Sequence, residues 1–269
     1  MLIASFAFAW MSLVARYLEG FHPLQVVFFR VFGSFIFLFP YMLIKRVPVI
    51  GKNIFWLSAR AILGSISLTL FFIVIQRIPL GSTMALRYTA PIFSVVFAFL
   101  LLKEKVILWQ WVALLISLVG ALVMKGVDFR IDTLSFIMIM GSAVLMGGVF
   151  AIIRYLGSKE HHLTIINYFM VVAMLGSLFF ISHWRLPVGQ EWVWVSSIGI
   201  LGLIGQLFFT LAFKLAETNT VAPIKYMELV YTFFLGYFFL NETYSTGAII
   251  GVCLVLTGLL LNVWAKRKK

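Results

Sequence analysis

The sequence predicts an all-α integral membrane protein: ten transmembrane helices in two inverted five-helix repeats. Three observations predict it. The chain has 269 residues, 63% hydrophobic and only 11% charged, whereas soluble domains are about half apolar and a quarter charged. Apolar runs of roughly twenty residues recur from end to end, each long enough to cross a ~30 Å hydrocarbon core. The first half also maps onto the second at a constant offset of 138 residues, without a gap.

Arg16-Tyr17-Leu18 recurs as Arg154-Tyr155-Leu156, Ile62-Leu63-Gly64 as Ile200-Leu201-Gly202, and Trp56, Phe71, Tyr88, Glu104 and Gly120 as Trp194, Phe209, Tyr226, Glu242 and Gly258. Internal duplications of this kind are common in transporters, whose halves move about a shared site. Backbone groups in lipid must be satisfied within the segment, so the apolar runs must be helices. A barrel would show ~10-residue alternating segments instead.

The spans follow in order. Residues 2–18 form the first, read as a spanning helix rather than a cleavable leader because no basic stretch precedes it. The second, 24–44, ends at a loop that Pro48 and Gly51 punctuate, and 54–76 is the third. The fourth, 81–102, contains Pro91, and the fifth is 106–124. The second copy runs 134–156, 163–182, a loop with Pro187 and Gly189, 192–213, 219–240 with Pro223 inside it, and 245–264. The two units are thus residues 1–124 and 134–269. Five is odd, so the second copy must cross the membrane in the opposite sense to the first.

With the N-terminus inside, cytoplasmic segments carry twelve Lys and Arg residues and external segments five. That bias places both termini in the cytoplasm of a cell (inner or plasma) membrane protein. The net charge of +12 is spread over loops and the tail Lys266–Lys269, with no basic stripe interleaved with aromatics, which argues against nucleic acid. Cys253 stands alone, and His22, His161, His162 and His183 fall in or beside loops, so no metal or cofactor site is expected.

Four basic residues remain inside the spans, Arg30, Arg60, Arg87 and Lys225, against one clear acid, Glu228. A charge at the helix centre costs about 2.5–3.5 kcal/mol, so each needs a partner, a cavity or a route to the interface. For Arg30 and Arg60, snorkelling or a structural pair is the simpler reading. Arg87 and Lys225 are the same repeat position, each followed by a tyrosine, Tyr88 and Tyr226, and each near a proline, Pro91 or Pro223. Pro91 removes the helical donor of the Arg87 carbonyl, and irregular backbone at membrane depth belongs beside a cavity or within protein.

Glu228 lies three residues after Lys225, on one helical face. Two arrangements fit. Lys225 and Glu228 pair structurally, or Glu228 takes a proton or a substrate ammonium while Lys225 or Arg87 holds a carboxylate or phosphate. Trp10, Tyr88, Tyr226 and Gln206 are further candidates to contact a ligand. Glu104 and Glu242 are expected to cap the helices that follow them. Gly247-xxx-Gly251 permits close helix contact, either in a homodimer or within the chain.

The stretches Phe29-Arg30, Gly81–Glu104 (GSTMALRYTAPIFSVVFAFLLLKE) and Val221–Glu242 (VAPIKYMELVYTFFLGYFFLNE) resemble the drug/metabolite transporter superfamily, EamA type, over essentially the whole length. The resemblance implies a secondary transporter of a small organic metabolite working by alternating access. It also implies a central cavity lined by the third, fourth, eighth and ninth spans. The excess of buried base suggests a carboxylated or zwitterionic substrate, moved with a proton or in exchange for another solute. No phosphate-binding loop for ATP occurs. A membrane-embedded enzyme and a passive channel are the alternatives.

Overall fold

Away from the helix breaks and termini the spans close their backbone hydrogen bonds within themselves, and the bundle that results contains no strand among the described residues. The structure, a computed structural model, describes residues 1–103, 107–157, 159–215 and 224–267. Its helices are α1 Leu2–Tyr17, α2 Pro23–Ile44, α3 Ile54–Ile75, α4 Leu80–Arg87, α5 Ala90–Leu102 and α6 Leu108–Val127. The second half holds α7 Thr133–Leu156, α8 His162–Leu178, α9 Glu191–Leu215, α10 Met227–Leu240 and α11 Thr246–Arg267. Seven spans are long and apolar enough to cross a bilayer outright, α4 and α5 together making one of them, and α1, α8 and α10 are shorter apolar helices. Among the described residues that makes the ten expected spans. The seventh ends earlier than its apolar run suggests, because the chain leaves α8 at Leu178 and makes a 3₁₀ turn at Ile181–His183.

Two of the loop histidines are helix caps. His22 Nδ1 accepts from the Leu24 N–H at 3.4 Å, and His161 Nδ1 accepts from the Leu163 N–H at 3.3 Å. Each occupies one of the donors that a helix N-terminus leaves without a partner.

The contacts between helices come in pairs that the offset exchanges. α3 packs on α7 as α1 packs on α9, α5 on α7 as α10 on α1, and α2 on α9 as α8 on α3. Three other contacts join equivalent spans to each other: α2 with α8, α4 with α10, and α6 with α11. A pseudo-two-fold axis therefore passes through those last three contacts. Its direction can be read from residue numbers. On the α6–α11 seam, a Cβ on Gly120 would stand 2.7 Å from the Gly251 carbonyl oxygen, and one on Gly258 would stand 2.7 Å from that of Ala113. Between them, the Ser117 hydroxyl donates to the Val255 carbonyl, its own repeat equivalent, at 3.4 Å. Numbers rise on one helix as they fall on the other, so the equivalent spans are antiparallel and the repeats inverted. Gly251 serves this internal seam.

The fourth and ninth spans end alike, at left-handed residues in equivalent positions, Lys103 (φ 53°) and Asn241 (φ 52°). The turn at Asn241 lets the Glu242 N–H return to the Gly236 carbonyl at 3.0 Å. It also sends the Glu242 carboxylate across to the other repeat, where it accepts from the Leu80 N–H at 2.8 Å, while the Tyr244 hydroxyl of its own repeat donates to it at 2.6 Å. Glu242 thus caps α4, not the following α11 as its position in the chain suggested. The helix it serves is its neighbour across the pseudo-two-fold axis. Its counterpart Glu104 lies outside the described residues. Glu242→Ala is expected to leave a buried donor unsatisfied and to destabilise the protein by about 1–3 kcal/mol, measurable as a lowered melting temperature in detergent. An unchanged melting temperature would show that Leu80 has another acceptor.

Candidate functional site

Both repeats break a helix at the same place. In the first, α4 ends at Arg87, Tyr88 and Thr89 turn, and α5 begins at Ala90 with Pro91 in its opening turn. Proline is tolerated there because that N–H has no helical partner in any case. Thr89 stabilises the break by donating its N–H and its hydroxyl to the Leu86 carbonyl, at 3.2 and 2.7 Å. In the second repeat Lys225 is helical, Tyr226 turns, and α10 begins at Met227. Here the freed carbonyl has a different cause. The Leu229 N–H, which a regular helix would give to Lys225, goes instead to Tyr226 at 3.0 Å. Pro223 lies outside the described residues.

The Lys225 carbonyl is satisfied from elsewhere. It accepts the Tyr88 hydroxyl at 3.1 Å and the Ser5 hydroxyl of α1 at 3.3 Å. The Tyr88 and Tyr226 rings meet edge-on, centroids 5.8 Å apart and planes at 82°. They bring the two helix breaks together on the pseudo-two-fold axis.

The two cations at the breaks lie over equivalent rings. The Arg87 guanidinium is 3.8 Å from the centre of Phe71, and the Lys225 ammonium is 5.4 Å from that of Phe209. Phe8 of α1 adds a second ring 4.9 Å from Lys225. Each ring face attracts a desolvated cation by about 2 kcal/mol. Charge pairing is unequal, however. Lys225 Nζ lies 2.5 Å from Glu228 Oε2 and 3.5 Å from the Tyr88 hydroxyl oxygen. In the first repeat the position of Glu228 is held by Ala90, and no described carboxylate lies within ion-pair distance of Arg87. The site thus contains one neutralised base and one base that keeps its charge.

Of the residues singled out from the sequence, Arg87, Tyr88, Lys225, Tyr226 and Glu228 converge, with Pro91 at the break. Gln206 is half-buried on α9, in the same turn as Gly205, against which the Phe8 ring packs, and Phe209. Trp10 is turned elsewhere. It packs edge-on to Phe6 and to Phe239, about three turns along α10 from Glu228. Ser5 and Phe8 were missed, since nothing in α1 alone shows which helix it faces.

Arg30 and Arg60 do not snorkel. Only 7% and 8% of each is exposed, and both guanidiniums converge on Phe169 of α8, at 5.8 and 4.6 Å from its ring centre. α2 and α3 both pack on α8, and α2 also on α9. That burial overrides the pull of the interface.

Comparison with known proteins agrees with this architecture. The profile of the EamA-like transporter family matches residues 1–125 and 133–264. The pseudopaline exporter CntI of Pseudomonas aeruginosa is 28% identical over 94% of this chain and 91% of its own. The S-adenosylmethionine uptake transporter of Rickettsia prowazekii is 25% identical, covering 92% and 85%. Solute carrier family 35 member G1 of Mus musculus is 25% identical over 99% of this chain and 78% of its own. One solved structure superimposes with a TM-score of 0.69 at 16% identity, covering 99% of this chain and 97% of the other, a likeness of fold.

Proposed function

Because the chain belongs to the EamA-like transporter family, we propose that it is a secondary carrier of a small organic metabolite bearing an anionic group, moved by alternating access around the paired helix breaks. The observation that carries this reading is the unequal pair at equivalent positions: Lys225 bound to Glu228, and Arg87 on Phe71 with no carboxylate of its own. Arg87 is the group that meets a substrate carboxylate. Glu228 takes either a proton or the substrate's ammonium, and Tyr88 of the first break bonds the Lys225 carbonyl of the second. The third, fourth, eighth and ninth spans line the path, and residues 1–124 and 134–269 act as the two moving halves. Both termini lie in the cytoplasm of an inner or plasma membrane. Relatives named as carriers of pseudopaline and of S-adenosylmethionine support a small organic solute.

Loop contacts at the two ends of the bundle fit such a cycle. At one end Gln25 Nε2 donates to the Arg185 carbonyl at 2.6 Å. At the other, Glu160 accepts from the Asn53 N–H at 2.6 Å and from its side-chain amide at 2.8 Å. The repeat offset carries one pair of loops onto the other, so opening one end while closing the other is a single exchange of roles.

A thermal-shift screen of purified protein tests the substrate class. A ligand that binds only the folded state stabilises by about 2.7 kcal/mol at a hundredfold excess over Kd. Carboxylated or zwitterionic metabolites are expected to lead, and Arg87→Gln to abolish their effect. A screen in which only uncharged sugars raise the melting point would overturn the proposal.

A further inference from the structure

The Arg30–Arg60 pair has no role in the cluster at the helix breaks, and no carboxylate among the described residues pairs with it. Both residues are more than nine-tenths buried. Among the described residues, Arg30 Nε and Arg60 Nε and Nη1 have no hydrogen-bond partner. Both side chains point at one ring, Phe169. A ring face attracts cations, but it cannot accept the several in-plane hydrogen bonds that a guanidinium offers. Two like charges sharing one ring also repel each other. Left alone, buried donors and charges of this kind are costly.

Space for them is built in. Gly64 and Gly202 are repeat equivalents, and each lies beside one arginine. A Cβ on Gly64 would stand 3.7 Å from Arg60 Nη1, and one on Gly202 would stand 3.4 Å from Arg30 Cγ. The arginines themselves are not repeated, since Tyr168 and Ile198 occupy the equivalent positions. The fold's symmetry therefore does not require them. Arg30 also lies within electrostatic range of both Arg60 and Arg87, so the positive charge runs from this pair towards the unpaired base at the break.

We infer that Arg30 and Arg60, which converge on Phe169 between α2, α3 and α8, form a second site that binds an oxyanion, a carboxylate or phosphate group. Its planar forked donors suit two oxygens of one such group. This inference adds a site to the carrier proposed above, but it stands on its own binding measurement. The anion has two sources of the same chemistry, a free inorganic anion or the far acidic end of a solute whose near end meets Arg87.

Purified full-length protein is titrated with inorganic phosphate and, separately, with succinate, and the melting temperature is followed. Phosphate also stabilises proteins by exclusion from their surface, an effect that does not saturate and is shared by all variants. Site binding is expected to saturate. Arg30→Gln or Arg60→Gln should weaken it about tenfold or more, the loss of a charge-assisted hydrogen bond. Lys45→Gln, which removes an exposed loop cation far from both clusters, should leave the phosphate midpoint within about twofold. Succinate binding that needs both Arg60 and Arg87 identifies a solute's second acid as the anion, and saturable phosphate binding that needs Arg60 alone identifies a free anion. The inference is overturned if neither anion gives a saturable shift, or if the shift persists in Arg30→Gln and Arg60→Gln. Folding of the variants is checked by their melting temperature without anion, which should match or exceed the wild type, because repulsion is relieved. Loss of transport in Arg87→Gln with phosphate binding intact would bear on the carrier mechanism alone.

Discussion

Lys225→Ala is expected to abolish transport and to destabilise the fold by about 3–5 kcal/mol, the usual result of removing one partner of a buried ion pair. Glu228 is 5% exposed and holds Lys225 at 2.5 Å. Without the ammonium, its carboxylate is left at membrane depth with no base in contact. Loss of transport in this variant is therefore ambiguous by itself. The informative partner is the double variant Lys225→Met, Glu228→Met, which removes both charges and keeps the volume. Apolar replacement of a whole buried pair is often neutral or stabilising, so its melting temperature should return to near the wild-type value. The proposed role predicts that it still fails to transport in proteoliposomes. A double variant that is both stable and active at the wild-type rate would reduce the cluster to a structural pair.

Gly258→Val is expected to be at least as damaging to the fold, about 3 kcal/mol or more, without touching the cluster. The Cβ would overlap the Ser117 hydroxyl and stand 2.7 Å from the Ala113 carbonyl oxygen. The obstructing carbonyl belongs to helix backbone and cannot swing aside, so α6 and α11 must separate along their seam. Overpacking usually costs 1–3 kcal/mol, and rigid neighbours raise that figure. Gly126→Ala on α6 is the control, because nothing lies within 4 Å of the added carbon. Alanine is the better helix former by about 1 kcal/mol, so this variant should melt at or above the wild-type temperature. If both substitutions behave alike, the close seam does not hold the repeats together.

The sequence made the repeats legible because the offset is ungapped, and an odd number of spans then required inversion. Arg87 and Lys225 stood out for the same reason. A charge is rare in a span, and a charge at the same place in both copies is rarer. What each helix faces was less accessible. Glu242 looks like a cap for the helix next in sequence, yet it serves α4, since the two-fold axis places that helix nearer in space. Its recurrence with Glu104 was the available sign that it belongs to the symmetry. Arg30 and Arg60 lie on different helices with unequal registers, and each alone sits close enough to a helix end to reach the interface. Their meeting at Phe169 depends on how α2 and α3 lean on α8, which periodicity along one helix does not encode.

Tyr88 gives its hydroxyl to the carbonyl of Lys225, while among the described residues Tyr226 makes no matching bond to Arg87. Two identical residues straddling an axis have thus taken unlike parts, and the halves they belong to cannot be mirror settings of one shape. A twin arrangement exists in principle, with donor and receiver interchanged, and it differs in energy only through the places where the copies diverge. Glu228 opposite Ala90 is the plainest of these, so an acid that only one copy carries sets the twins apart.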